Sequence, residues 1–298
     1  MRFPRLNLSA IAAIFLLFSN VTPALAQDFK PPNRGIRGEG TRLNDSNNPL
    51  SDRKIEADRL FEIGNQQFSD RQYQVALNTF QQVLAIRRET GDKQGEADAL
   101  QKLGSACDRL GEFRQALEFY QQALALRREI GDIAGEGSIL NGIGGIYYQQ
   151  GNYQQALEFY QRTLIIRRQV NDKLGEGRTL NNIGLVYESL GQYPRALEVY
   201  QQASEIFKAN NNRLGEAAII NNIGLIYNQL GQYPQALEFY QKALEIRREI
   251  NDRTGMGTTL HNIGYLYDRQ QQYNQALDFY QQALIVRREV SDRAGEAI

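Results

Sequence analysis

The sequence predicts an all-α solenoid built from antiparallel helix pairs, and three observations carry that prediction. The chain repeats itself every 40 residues without an insertion, apolar residues within each copy recur at three- and four-residue steps, and a short turn signal separates two such stripes. A helix pair cannot bury its apolar face alone, so a fixed period of this length implies units that stack on their neighbours around one continuous core.

Taken in order, the first 26 residues read as a secretory signal peptide. Arg2 and Arg5 make a basic start, residues 8–21 are mostly apolar, and Ala24-Leu25-Ala26 is a small-x-small cleavage site before Gln27. The apolar run is too short to span a bilayer comfortably and is broken by Ser19 and Asn20, so cleavage is expected instead of stable membrane insertion. The expected location is therefore outside the cytoplasm, periplasmic or extracellular. Residues 27–50 hold Pro31, Pro32, Pro49, several glycines and several Asn with few large apolar groups, which is the composition of a disordered linker. Six full copies then begin at Ser51, Gly91, Gly131, Asn171, Asn211 and Asn251, and a seventh opens at Ser291 and runs to Ile298.

Each copy encodes a helix, a tight turn and a second helix. The first stripe appears in Leu180, Ile183 and Tyr187, the second in Ala236, Leu237, Tyr240, Ala243, Leu244 and Ile246, and neither alternates as a strand would. Gly191-Gln192-Tyr193 and Gly231-Gln232-Tyr233 supply the turn between them. Pro194 and Pro234 fall in the first turn of the second helix, where a missing N–H costs nothing. At the junctions between copies, Asp92, Asp132, Asp172, Asp252 and Asp292 are placed to cap the next helix. The arginine pairs just upstream, such as Arg127 with Arg128 and Arg167 with Arg168, sit at the negative end of the preceding helix and within reach of those acids.

Composition then excludes most chemistry. With 34 basic and 34 acidic residues the chain has no surplus of positive charge for a nucleic-acid backbone. One Cys and one His leave no intramolecular disulfide, no paired soft metal ligands and no nucleophile pair other than one using His261. No catalytic residue, metal or cofactor is therefore expected, and the protein reads as a non-enzyme. His261 stands where earlier copies carry Asn141, Asn181 and Asn221, as a drifted polar residue would. Cys107 stands in the slot of Tyr147 and Tyr187, a packed core position.

The repeat resembles the tetratricopeptide repeat. That signature is a small residue in helix A, an aromatic three residues on, then Ala, an aromatic and Ala in helix B, here Gly184, Tyr187, Ala196, Tyr200 and Ala203, and again Gly224, Tyr227, Ala236, Tyr240 and Ala243. The match recurs in phase over residues 51–298. Its length of 40 residues, the absence of a Pro after helix B, and the Asn-Asn-Ile-Gly of residues 181–184 and 221–224 resemble the longer subclass of kinesin light chains, Pins-type adaptors and many exported bacterial proteins. The copy at Ser51 is degenerate, with Ile55 for the usual Gly and Gln67 for the usual Tyr.

The resemblance implies a right-handed superhelix whose concave inner surface is lined by helix A, through repeat positions 8, 12, 15 and 19. In peptide-binding members an Asn at position 12 bonds the backbone of an extended ligand, which makes Asn182, Asn222 and Asn262 the candidate contacts. A carboxamide suits that task because it offers donors and an acceptor together. The alternative is that these Asn residues satisfy hydrogen bonds between helices. Leu185, Leu225 and Tyr265 at position 15 would take apolar side chains, and Arg178, one turn before Asn182, an acidic group or a C-terminal carboxylate. The function so implied is an exported scaffold that binds an extended segment of a partner protein. The alternative is the recognition part of a longer protein whose caspase-like (CHAT) domain is absent from this chain. A further expected partner is a second copy, docking on the apolar face that the last full repeat leaves uncovered.

Overall fold

The computed structural model of the protein describes residues 49–290. The expected signal peptide, all but the end of the expected linker and the opening of the seventh copy lie outside the described residues. Twelve helices are described: α1 (Pro49–Ser69), α2 (Tyr73–Glu89), α3 (Lys93–Leu110), α4 (Phe113–Glu129), α5 (Ile133–Gln149), α6 (Tyr153–Gln169), α7 (Lys173–Ser189), α8 (Tyr193–Ala209), α9 (Arg213–Gln229), α10 (Tyr233–Glu249), α11 (Arg253–Arg269) and α12 (Tyr273–Glu289). Odd-numbered helices are the A helices of successive copies and even-numbered ones the B helices, with no strand among the described residues. Helix α1 starts at Pro49, so the first copy reaches two residues into the stretch assigned to the linker; Pro is tolerated at a first helical position.

The turns explain why the helices stop where they do. Each is closed by one residue in the left-handed conformation, whose N–H bonds back into the helix it ends, as Gly191 N–H does to the Glu188 carbonyl at 2.8 Å. Glycine holds that place at Gly111 and Gly151, with φ of 78° and 75°, and Asn at Asn171 and Asn211, with φ of 56° and 53°. The next residue caps the following A helix. Asp92, Asp132, Asp172, Asn212 and Asp252 each accept from the backbone N–H of the glycine three residues on, at 2.8–2.9 Å.

The same acids receive the upstream arginines. Arg127 donates to Asp132 at 2.7 Å, Arg167 to Asp172 at 2.9 Å and Arg247 to Asp252 at 3.4 Å, so each cap is also an ion pair. The fourth junction differs: Phe207 takes the arginine slot and Asn212 the aspartate slot. Phe207 is buried against Gly215, where an added Cβ would come within 2.7 Å of its ring, so the charge pair is exchanged for packing. A second set of bridges runs between copies, with Arg128 bonded to Glu136 and Arg168 to Glu176, both at 2.7 Å.

The chain divides into two compact units, with the boundary in sequence between Phe119 and Tyr120. The first packs α1, α2 and α3 around Ala76, Phe80, Ala97, Leu100, Leu103 and Cys107, all at 0 % exposure. Cys107 is thus the core residue that its slot predicted, and burial pushes its thiol up to about 11. In the second unit, each A helix packs on its B helix through a glycine set against an aromatic ring. A Cβ on Gly224 would lie 2.8 Å from the Tyr240 ring and one on Gly144 2.8 Å from that of Tyr160, so only glycine lets these backbones come this close. Tyr200 and Tyr240 are 0 % exposed, each worth roughly 2–3 kcal/mol of apolar burial. Helix α9 also touches α7 and α11 directly, which lines up the A helices of this unit along one face.

Candidate functional site

The expected ligand-contact residues lie on α7, α9 and α11 of the second unit. Arg178 is exposed, Asn182, Leu185, Leu225, Asn262 and Tyr265 are half-buried, and Asn222 is buried at 8 %. Position 15 thus forms an accessible row of large apolar groups on three successive A helices, Leu185, Leu225 and Tyr265. Arg269, at position 19 of α11, sits beside the hydroxyls of Tyr265 and Tyr233, whose hydrogen bonds raise its pKa. The same face in the first unit is different in character: Lys102 lies 5.8 Å above the Phe61 ring, its pKa lowered by burial.

The position-12 asparagines are engaged with the protein itself. Asn182 donates from Nδ2 to Asn141 Oδ1 at 3.0 Å, Asn222 to Asn181 at 3.0 Å, and Asn262 to Asn221 at 3.1 Å. Each bond joins an A helix to the one before it, and Asn221 Oδ1 accepts a second time from Thr259 Oγ at 3.2 Å. Position 11 therefore faces the following copy and position 12 the preceding one. The ladder stops at position 11 of α11, where His261 replaces the acceptor and lies 5.1 Å from the Tyr280 ring. Burial and the neighbouring Arg287 lower its pKa to about 4, so it is a neutral packed group.

A second polar group on the same helices was not singled out by the sequence. Position 18 carries Tyr148, Glu188, Asn228 and Asp268, and position 30 in helix B carries Tyr160, Tyr200, Tyr240 and Tyr280. Tyr200 Oη donates to Glu188 Oε2 at 3.0 Å. Burial pushes the Glu188 carboxyl up to about 7, and only that hydrogen bond opposes it. The neighbouring copy sets Asn228, at 1 % exposure, against the Tyr240 hydroxyl, so an uncharged amide stands there in place of the carboxylate. Tyr240 and Tyr148 both feel the Glu188 charge, which places the carboxylate among hydroxyls from three copies; Tyr148 Oη is also bonded to Ser189 Oγ at 2.9 Å. The signal available in sequence was the spacing of twelve residues between a helix-A polar group and a helix-B tyrosine, visible only once position 30 is known to point its hydroxyl toward helix A.

Among the described residues no cluster of three or more His, Cys, Asp or Glu could hold a metal, and no described helix is long and apolar enough to cross a membrane.

The sequence matches the tetratricopeptide repeat family over residues 57–129, 136–209 and 215–289. The chain belongs to that family. Solved structures of similar fold include BtubC (BKLC) from P. vanneervenii, at 20% identity and a TM-score of 0.59 over 82% of this chain and 93% of that one. Aspartyl phosphate phosphatase F from Bacillus subtilis is similar at 16% identity and a TM-score of 0.67, over 80% of this chain and 72% of that one. A Rap protein complexed with Competence and Sporulation Factor is similar at 16% identity and a TM-score of 0.62, over 80% and 76%. At these identities the likeness is one of fold. No curated protein matches the sequence. The tetratricopeptide array is thus an interaction scaffold by architecture, with its A-helix face as the surface on which side chains vary from copy to copy.

Proposed function

We propose that this tetratricopeptide array holds an extended segment of a partner protein along the face of α7, α9 and α11. The observation that carries the reading is the accessible row of Leu185, Leu225 and Tyr265, spaced one per copy on neighbouring A helices and flanked by Asn182, Asn222 and Asn262. The ladder bonds fix those carboxamides in orientation, with Asn182 and Asn262 remaining accessible to a ligand backbone, and Arg178 stands exposed at the edge of the row for an acidic group. The similar Rap protein is complexed with Competence and Sporulation Factor, which supports a fold of this kind taking a protein or peptide ligand. The N-terminal residues support export, and cell fractionation of the tagged full chain tests that part.

Selection of random decapeptides displayed on phage against the immobilised chain tests the central reading. Enriched sequences that bind wild type and fail on Leu185→Glu and Leu225→Glu are expected. Selection that enriches nothing above a blank surface contradicts it.

A second reading, self-association, is favoured by α12, where Tyr273, Leu277 and Ile285 are 63 %, 55 % and 58 % exposed. Light scattering over a hundredfold concentration range separates the two: a mass rising with concentration supports it and a constant monomer mass dismisses it.

A further inference from the structure

Charge is distributed differently along the A helices of the two units. In the first, Lys102 lies near Asp98 and Glu62, and Asp58 is bonded to Arg87, so bases and acids there meet each other. In the second, positions 8, 12, 15 and 19 of α5, α7, α9 and α11 carry two charges, Arg178 and Arg269, and no acid. Both arginines are exposed, and neither is held by a carboxylate among the described residues. Glu188 and Asp268, at position 18 of the same helices, meet the helix-B tyrosines Tyr200 and Tyr280 instead. The tetratricopeptide array thus presents an uncompensated positive charge at each end of the row of Leu185, Leu225 and Tyr265.

Arg269 is the better prepared of the two. Tyr265, one turn before it on α11, and Tyr233, at the start of α10, are half-buried and set their hydroxyls beside its guanidinium, where they accept its hydrogen bonds. A hydroxyl that accepts in this way keeps its own proton to donate onward. A carboxylate arriving at Arg269 therefore meets guanidinium N–H groups and phenolic O–H donors in one place, oriented before it binds. An ammonium or a second guanidinium would meet a like charge there.

We infer that Arg269, Tyr265 and Tyr233 form a subsite for a carboxylate of the bound segment, so that the face selects an acidic peptide anchored at both Arg178 and Arg269. The inference rests on the peptide-binding reading proposed above and specifies the charge of the ligand. It also sets a spacing. Neighbouring A helices pack about 9 Å apart and the path from position 8 to position 19 rises about 16 Å, so two copies separate the anchors by roughly 25 Å, the reach of about seven extended residues. The side chains between the two acids then lie over Leu185 and Leu225 and are apolar.

The test uses the full chain and the decapeptides selected as above. The expected result is enrichment of Asp or Glu at two places separated by about seven residues. Each selected peptide is resynthesised with a fluorescein label, and again with one acid at a time replaced by its amide. Affinity is read by anisotropy against wild type, Arg178→Gln, Arg269→Gln and Tyr233→Phe. The three side chains are exposed or half-buried, so the variants should fold, and their circular dichroism is compared with wild type. Arg269→Gln should lose about tenfold for the peptide carrying both acids and nothing further for the peptide whose acid at that end is already an amide. Arg178→Gln should show the same pattern at the other end with a loss of about threefold, because no described side chain positions that guanidinium. Tyr233→Phe should give a smaller loss than Arg269→Gln, confined to peptides that keep the Arg269 acid. Selected peptides without acids, or losses on Arg269→Gln that are equal for the acid and amide forms, overturn the inference while leaving the peptide-binding reading intact. Failure to select any peptide overturns both. Tripolyphosphate is titrated alone as a probe for a free polyanion: if it binds wild type as tightly as the peptides do and loses that binding on Arg269→Gln, the site reads a small anion and the peptide assignment is wrong.

Discussion

The asparagine ladder and the surroundings of Glu188 lie on the same A helices and are made of similar residues, yet they differ in how their polar atoms are spent. In the ladder, Asn182, Asn222 and Asn262 each bond the preceding helix at 3.0–3.1 Å, and Asn221 accepts twice. Glu188 has one neutral donor, the Tyr200 hydroxyl, and burial works against its charge. The first arrangement stabilises the stack and the second costs stability.

The largest expected effect concerns Glu188. Glu188 in the folded protein is raised to about 7 from its ordinary 4.5, so the folded state holds its proton more tightly than the unfolded chain. The stability this contributes is fully present below pH 4.5 and is lost as pH rises through 7, by up to ~3 kcal/mol. The titratable groups facing the carboxylate are the hydroxyls of Tyr148, Tyr200 and Tyr240, all with raised pKa values, so none of them titrates in that window. Urea unfolding followed at several pH values should show the fall in wild type and not in Glu188→Gln. An identical slope in the two proteins would remove Glu188 from the comparison.

The next effect is on the ladder. Asn221→Leu removes the acceptor for both Thr259 and Asn262 and strands two donors, at a cost of about 2 kcal/mol in unfolding free energy. A cost near zero would mean that the ladder adds nothing to the stack.

His261, at the end of the ladder, sharpens the contrast because its sign is opposite. Its pKa is lowered to about 4, so its contribution is present above pH 6.5 and is lost as pH falls toward 4. It therefore masks part of the Glu188 slope in wild type. His261→Asn should expose the full decline with rising pH, and an unchanged profile would argue against the burial assigned to the imidazole.

The smallest effect belongs to the exposed bridges between copies. Arg128, half exposed at 49 %, is bonded to Glu136, and Arg128→Gln should change unfolding free energy by about 0.5 kcal/mol or less, less still at high salt. A loss several times larger would move the stability of the stack from its packed core to its charged surface.

Much of this was legible in sequence because it is local. The left-handed turn residues, the Asp92 and Asp132 caps and their arginine partners all lie within a few residues of one another, where spacing alone decides geometry. The exchange of Arg for Phe207 was equally visible, although its consequence, packing against Gly215, was not. What escaped are relations between copies. Asn182 reaches Asn141 across 41 residues, and whether a carboxamide points to a neighbour or to solvent depends on how far one A helix is offset from the next. Sequence left the ligand and scaffold roles of these residues as equal readings, and the bonds assign their Nδ2 groups to the scaffold. Glu188 was missed for a related reason: position 18 changes from each copy to the next, and its surroundings come from Tyr200 and Tyr240 on other helices.

Unfolding midpoints measured at pH 8 on matched preparations of Glu188→Gln and Asn221→Leu test the contrast most directly. The expected result is separation: Glu188→Gln keeps or raises the midpoint, because it removes a charge that burial disfavours, and Asn221→Leu lowers it. If the midpoint falls in both variants, Glu188 is part of the scaffold like the ladder, and the account given for it is wrong.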